Sequence, residues 1–105
     1  MARWKKPTKD EVLANRRALA ERARRADLRL PYAIAEIRKG IGLTQQEFAK
    51  VLGLTRRQIA EMETGAANPT IETLAKVGRL FGFTVGFVPK NASRNFAESH
   101  QADDQ

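Results

Sequence analysis

Residues 44–62, TQQEFAKVLGLTRRQIAEM, decide the fold, because they predict two short helices joined by a tight turn. Thr44 and Thr55 each stand three residues before a Glu or Gln, which is the spacing of a capping box at the start of a helix. Gly53 lies between the two helices, where a left-handed residue would end the first one. The stretch therefore predicts two separate helices with defined ends.

Apolar side chains recur at helical spacing in both predicted helices, with Phe48, Val51 and Leu52 in the first and Ile59 and Met62 in the second. These two apolar faces are predicted to share one core. Ala49 is small at the point where the helix backbones must approach closely. The positions of Ala49, Gly53, Ile59 and Met62 together match the spacing of a helix-turn-helix motif.

The length and composition of the chain limit what it can do. Its 105 residues have room for one small domain, and an apolar content of 42% is too low for a large core. The net charge of +7 and the pI near 10.4 favour a polyanionic partner. Charge alone does not distinguish DNA from RNA or acidic lipid. Without cysteine, the chain has no disulfide, thiolate zinc site or cysteine nucleophile.

The sequence offers no candidates for catalysis or cofactor binding. His100 is the only histidine and has no cysteine or second histidine at ligand spacing, so no metal site is predicted. The carboxylates are few and scattered, and no phosphate-cradling glycine loop is present. The apolar runs are far too short to cross a membrane, and the amino terminus lacks the apolar core of a signal peptide. We therefore expect a non-enzymatic, cytoplasmic protein.

Four segments are predicted along the chain. Residues 1–30 form a basic helical extension, whose helix begins at the capping box of Thr8 and continues to about Leu28. Residues 31–82 form the helix-turn-helix domain, 83–89 a strand, and 90–105 a disordered polar tail. The domain adds a helix over residues 32–39 and a last helix capped by Thr70. The inner face of that last helix is predicted to contain Ile71, Leu74, Val77, Gly78 and Phe81.

The strand segment FTVGFV alternates aromatic and β-branched residues with smaller ones and comprises Phe83, Thr84, Val85, Gly86, Phe87 and Val88. A solitary strand leaves its backbone amides and carbonyls unpaired, so a second copy of the chain must supply the neighbouring strand. The predicted fold is therefore mainly α: a five-helix, repressor-like helix-turn-helix domain with one carboxy-terminal β-strand that pairs across a homodimer.

The stretch GLTQQEFAKVLGLTRRQIAEMETGAANPTIETLAKV resembles the Xre/Cro-like helix-turn-helix domains of phage repressors and bacterial antitoxins, with the match covering residues 37–81. Beyond it, FTVGFV followed by PKNAS resembles the HipB-like antitoxins. This resemblance implies a sequence-specific repressor that binds a palindromic double-stranded DNA operator as a homodimer. It also implies a toxin partner, a HipA-like kinase.

The second motif helix is predicted to enter the major groove and to contact bases through Thr55, Arg56, Arg57, Gln58 and Glu61. Arginine donates two hydrogen bonds to guanine, glutamine pairs with adenine, and a carboxylate accepts from cytosine. The alternative is that Arg56 and Arg57 are solvated charges, paired with Glu61 within the helix.

Helix and loop ends are predicted to contact phosphates through Thr44, Gln45, Thr64 and Asn68. Alternatively, capping alone explains Thr44, and a place before Pro69 alone explains Asn68.

The amino-terminal arginines allow several interpretations. The cations concerned are Arg16, Arg17, Arg22, Arg24, Arg25 and Arg29. They could form a solvated face, contact the DNA backbone, or dock an acidic protein. The role of Trp4 stays open between a partner anchor and packing on the dimer. Two other functions are kept beside the antitoxin: a stand-alone or phage-type repressor without a toxin, and a protein-interaction module that uses the basic helix.

Overall fold

The structure, a computed structural model, describes residues 4–90. It contains five helices: α1 (Lys9–Arg24), α2 (Tyr32–Gly40), α3 (Gln45–Leu52), α4 (Arg56–Thr64) and α5 (Ile71–Arg79). The predicted mainly α, five-helix architecture is confirmed. The tail over 91–105, with His100 and its predicted disorder, lies outside the described residues.

Side-chain caps fix where the helices begin. Thr8, Thr44 and Thr55 each accept a hydrogen bond from the backbone N–H three residues on, and the residue at that position bonds back, so all three predicted capping boxes are present. Thr70 accepts a hydrogen bond from the backbone N–H of Thr73 and caps α5, as predicted. Gly53 ends α3 in the left-handed conformation, with φ of 71°.

One core joins the four helices α2 to α5. Its buried members are Ile34, Ile37, Phe48, Ala49, Leu52, Ile59, Met62 and Val77. The largest fully buried side chains come from three different helices, Ile34 from α2, Phe48 from α3 and Ile59 from α4. The shared core predicted for the two motif helices is therefore present, and it fixes α3 and α4 against each other.

Two residues that the sequence pattern assigned to the core are exposed. Val51 is 54% exposed because the buried stripe of α3 runs through Phe48, Ala49 and Leu52, and Val51 falls at its edge. Ile71 is 75% exposed because it is the first residue of α5, before the inward face of that helix begins at Leu74. Both assignments to the core were wrong.

Helix α1 ends four residues earlier than the predicted boundary near Leu28. Ala26 adopts a left-handed φ of 57°. Its N–H donates to the Ala23 carbonyl at 2.9 Å, and the N–H of Asp27 donates to the Arg22 carbonyl at 2.8 Å. These two bonds form a Schellman motif, which usually places glycine where Ala26 stands. The sequence therefore has no glycine that would mark the end of α1.

Helix α1 packs against α2. Leu19 is its buried residue, and it lies so close to Gly40 that a Cβ added there would come within 2.8 Å of the Leu19 Cδ1 atom. The side-chain amide of Asn15 donates to the Gly40 carbonyl at 3.1 Å. The absence of a side chain at Gly40 thus permits the close packing of the two helices.

Residues 83–89 belong to no helix or strand of the single chain. Phe83 is held to α5 by its backbone N–H, which donates to the Gly78 carbonyl at 2.9 Å. The predicted strand needs a second copy of the chain as its neighbour, so its pairing stays a prediction. Within residues 4–90, no helix has both the length and the apolar character to cross a membrane.

Candidate nucleic-acid interface

Helix α4 is held by one face and presents the other to solvent. Ile59 and Met62 anchor it in the core. Arg56 and Arg57 lie in its first turn and are exposed. Arg56 forms no ion pair with any residue in the described range 4–90. The amino-terminal end of the helix therefore offers two guanidinium groups on a rigid scaffold.

Arg57 has a partner on its own helix. Its Nε donates to Glu61 Oε2 at 3.2 Å, and the Arg57 side chain is 87% exposed. This is the ion pair that the alternative interpretation anticipated. An exposed pair at this spacing stabilises a helix by only about 0.3–0.5 kcal/mol, so it does not prevent Arg57 from binding a stronger partner. Glu61 limits the directions in which the guanidinium points.

The side chains of Gln58 and Thr55 form the capping box at the start of α4. The Gln58 Oε1 atom accepts from the Thr55 backbone N–H at 2.9 Å, while the Thr55 Oγ1 atom accepts from the Gln58 backbone N–H at 3.1 Å. Pairing with both edge atoms of an adenine would require that carbonyl oxygen. Gln58 therefore keeps only its amide N–H groups available while the capping box stays closed.

The predicted phosphate contacts differ in their surroundings. The Gln45 side-chain amide donates to Glu63 Oε1 at 3.0 Å, so it points toward α4. Thr44 is used in its capping box. The Thr64 hydroxyl lies within 3.2 Å of the Ala60 carbonyl, its acceptor within the helix. Asn68 is exposed in the loop before α5.

A buried ion pair between Arg38 and Glu63 was missed by the sequence analysis. The Arg38 Nε donates to Glu63 Oε2 at 2.6 Å, and the Arg38 Nη2 donates to Glu63 Oε1 at 3.2 Å. Both side chains are only 7% exposed. Each residue lies four positions after a buried isoleucine, Ile34 or Ile59, and so falls on an apolar face. A charged residue on an apolar helix face was therefore the one feature of the sequence that could have indicated a buried ion pair.

The same pair ties three helices together. Arg38 also donates to the Leu43 carbonyl at 2.9 Å, in the turn between α2 and α3. Glu63 in α4 accepts from both Arg38 and Gln45, the first residue of α3. The relative positions of α3 and α4 are therefore fixed by hydrogen bonds as well as by apolar packing.

The amino-terminal arm, defined here as residues 4–7, lies beside α3. The Lys6 ammonium group donates to Glu47 Oε1 at 2.6 Å and to the Gly42 carbonyl at 2.8 Å. The hydrogen bond from Lys6, together with one from the Thr44 backbone, lowers the pKa of Glu47 to about 2. The guanidinium carbon of Arg38 is 5.9 Å from the centre of the Trp4 ring, within the range of a cation–π contact.

Most of the arginines in residues 16–29 have intramolecular partners. Arg16 donates to the Leu80 carbonyl at 2.7 Å and stacks on Phe81. Arg22 binds both oxygens of Glu36, and this hydrogen bonding raises the pKa of the guanidinium. Hydrogen bonds also occupy Arg24, with Glu21, and Arg29, with the carbonyls of Ala26 and Pro89. Arg17 and Arg25 are exposed. The arginines therefore do not form one free basic face.

Comparison with known proteins identifies the domain. Residues 34–88 match the family model described as "Helix-turn-helix". A SPbeta prophage-derived, uncharacterised HTH-type transcriptional regulator of Bacillus subtilis, YonR, is 32% identical over 63 residues, which is 60% of this chain and 58% of that protein. An uncharacterised HTH-type transcriptional regulator of Archaeoglobus fulgidus is 40% identical over 48 residues, 46% of this chain and 69% of that protein.

A third relative, an uncharacterised HTH-type transcriptional regulator of Methanothermobacter thermautotrophicus, is 39% identical over 49 residues, 47% of this chain and 71% of that protein. No solved structure matches the chain. The family match begins in α2, extends beyond α5 and covers more than half of the chain. The protein therefore belongs to the Xre-type helix-turn-helix family.

Proposed function

We propose that this protein is a sequence-specific, DNA-binding transcriptional repressor that inserts α4 into the major groove of its operator. The observation that carries the proposal is the arrangement of α4, whose buried face is fixed in the core while Arg56 and Arg57 stand exposed at its amino-terminal end. This end of a recognition helix is the part that contacts base edges in helix-turn-helix proteins. The relatives named as transcriptional regulators support the same function.

The surroundings of the five proposed base-contacting residues give them different roles. Arg56, which has no ion-pair partner among residues 4–90, is proposed to donate two hydrogen bonds to a guanine. Glu61 is proposed to orient Arg57 through their ion pair. Thr55 and Gln58 contribute mainly by holding the start of α4 in place, with the Gln58 amide N–H groups as donors.

Phosphate binding is proposed around the start of α3 and the loop after α4. Gln45 begins α3, where backbone N–H groups and the positive end of the helix dipole favour an anion. Thr44, Thr64 and Asn68 are proposed to bind phosphates as well, and these three residues with Gln45 are called the phosphate path below. These contacts set the register of the protein on DNA but carry no base preference.

We expect replacement of Arg56 or Arg57 by alanine to weaken binding to the cognate site much more than binding to random DNA. A bidentate arginine–guanine pair discriminates by about 1–3 kcal/mol, which corresponds to roughly 5- to 150-fold in affinity. Gel-shift titrations would compare DNA from upstream of the protein's own gene with a random duplex. Lys76→Ala, an exposed change on α5, serves as the control. Equal losses on both duplexes would assign the arginine to phosphate, and wild-type protein without any preference would contradict the proposal.

The protein is proposed to act as a homodimer on a palindromic operator, with half-site centres about 34–36 Å apart. The segment 83–88 supports this proposal by its exposed apolar side chains. Phe87 is 106% exposed in the single chain, and Val85 and Val88 are exposed beside it. Burial of these side chains against a second copy, with strand pairing, would remove apolar surface from water.

Val85→Pro is expected to reduce dimerisation, because proline removes a backbone N–H that the shared sheet would use. The sedimentation coefficient should fall toward that of a monomer, and the affinity for the palindromic site should fall with it. Val85→Thr retains the N–H and the β-branched shape, so it is the matched control. A Val85→Pro protein that sediments like the wild type would contradict the shared sheet.

The repressor is further proposed to be the HipB-like antitoxin of a toxin–antitoxin operon. The support is the resemblance of the segment FTVGFV and the residues after it to those antitoxins. The toxin would be a HipA-like kinase, bound through surfaces outside α4. Co-purification of the protein with the product of the neighbouring gene tests this role, and purification without that product would contradict it.

The second candidate is a phage-type repressor without a toxin. The observation that favours it is the prophage origin stated for the Bacillus subtilis relative. A protein-interaction module that uses the basic helix has weaker support, because Arg16, Arg22 and Arg29 are occupied within the chain.

A further inference from the structure

The amino-terminal arm, residues 4–7, is attached to the motif rather than to α1 alone. Lys6 bonds the Gly42 carbonyl and the Glu47 carboxylate, which lie on either side of the start of α3. Pro7 approaches Gly42, where an added Cβ would meet its ring at 3.2 Å. The arm therefore lies along the turn between α2 and α3.

This position makes the arm continuous with the proposed DNA surface. The centre of the Trp4 ring is 5.9 Å from the Arg38 guanidinium carbon, within the range of a cation–π contact. Arg38 binds Glu63, and Glu63 accepts a hydrogen bond from Gln45 at the start of α3. Three consecutive contacts thus connect Trp4 to a residue of the proposed phosphate path.

The surface around the arm has unpaired positive charge. Trp4, Lys5 and Lys39 line a groove of about 550 Å³ between the arm, α1 and α2. Lys5 and Lys39 are exposed and form no ion pair with any residue between 4 and 90. The carboxylates of the groove are engaged, since Glu36 binds Arg22 and Glu11 completes the α1 capping box. The free charge of the groove therefore favours a polyanion.

Lys6 has a second effect at the same place. Glu47 is required for the capping box of α3, yet it puts a carboxylate beside the proposed phosphate path. The ammonium group of Lys6, 2.6 Å away, neutralises that carboxylate. Without Lys6, Glu47 would repel an approaching phosphate.

We propose that the amino-terminal arm is a second DNA contact, in which Lys5, in the groove between the arm, α1 and α2, binds the phosphate backbone while Lys6 neutralises Glu47 at the start of α3. This inference rests on the proposed function as a DNA-binding repressor. The partner is double-stranded DNA, and the contact is to its backbone, so it adds affinity without base preference.

The dependence of affinity on salt tests the role of Lys5. Each lost phosphate contact reduces the slope of log K against log[salt] by about 0.9 on B-form DNA. Full-length Lys5→Ala should show this reduction on cognate and random duplexes alike, whereas Lys76→Ala on α5 should keep the wild-type slope. Trp4, the only tryptophan of the chain, should change its emission when the duplex is added.

A pair of variants tests the role of Lys6. Lys6→Ala should weaken binding to both duplexes, and adding Glu47→Gln should restore most of the loss, because glutamine keeps the capping box without the charge. Failure of that restoration would contradict the neutralising role.

The same binding experiments test the repressor function and the arm contact separately. A wild-type protein with no preference for its own upstream DNA contradicts the repressor. A wild type that has this preference, with an unchanged slope in Lys5→Ala and unchanged Trp4 emission, overturns the arm contact alone. If Lys5→Ala instead keeps the DNA slope but loses binding to polyglutamate, the arm serves an acidic protein and the DNA assignment is overturned.

Discussion

Glu63→Ala is expected to reduce the free energy of unfolding by about 3–5 kcal/mol, the usual cost of removing one partner from a buried ion pair. The physical reason is that the Arg38 guanidinium, whose side chain is only 7% exposed in the intact protein, would lose its carboxylate partner. Gln45 would also lose the acceptor of its side-chain amide. Because small domains are stable by only about 5–15 kcal/mol, a loss of this size removes a large share of the total stability. Urea denaturation followed by circular dichroism measures the change.

The exposed pair of Arg57 and Glu61 supplies the matched control. Glu61→Ala removes a carboxylate from the same helix, but this pair is exposed and should cost no more than about 1 kcal/mol. The double change Arg38→Met with Glu63→Met should recover much of the loss, since apolar side chains of similar size often replace a buried pair without penalty. Equal losses for Glu63→Ala and Glu61→Ala would contradict the structural role of the pair.

Phe48→Ala is expected to have an effect of similar size. Phe48 is 0% exposed and belongs to the core that joins α2 to α5. Truncation of a buried phenylalanine costs about 3–5 kcal/mol, because transfer free energy is lost and a cavity is left behind. The same denaturation experiment should show a lower midpoint with little change in slope.

Val51→Ala, on the same helix, is the control for Phe48→Ala. Val51 is 54% exposed, so its truncation should change the free energy of unfolding by about 0.5 kcal/mol or less. A large loss at Val51 with a small loss at Phe48 would show that α3 is rotated from its position in the structure.

Local signals predicted much of the fold because they act over three or four residues. The boxes that begin at Thr44 and Thr55 and the left-handed Gly53 set the ends of α3 and α4, and each was visible in the sequence. The apolar spacing of Phe48, Ile59 and their neighbours identified most of the core. The candidate recognition face followed directly, since residues opposite a buried stripe must be exposed.

Interactions over longer distances could not be derived in the same way. Arg38 and Glu63 are 25 residues apart. The apolar periodicity shows that each is a charged residue on an apolar helix face, but it does not indicate that the two side chains meet. Lys6 and Glu47 are 41 residues apart, so the position of the arm beside α3 was equally hidden. The arginines of α1 appeared as one basic surface because the partners of Arg16 and Arg22, the Leu80 carbonyl and Glu36, lie elsewhere in the chain.

The sequence by itself determined the helix-turn-helix: capping, left-handed glycine and apolar period are local, and they place Arg56 and Arg57 on an exposed helical face. Only the tertiary structure decided which charges remain free. It buried Arg38 with Glu63, engaged most arginines of α1, and set the arm against α3. The reason is that the sequence around a charged residue does not show whether its side chain is solvated or paired with a distant carboxylate. Only the packing of the chain decides between these two environments.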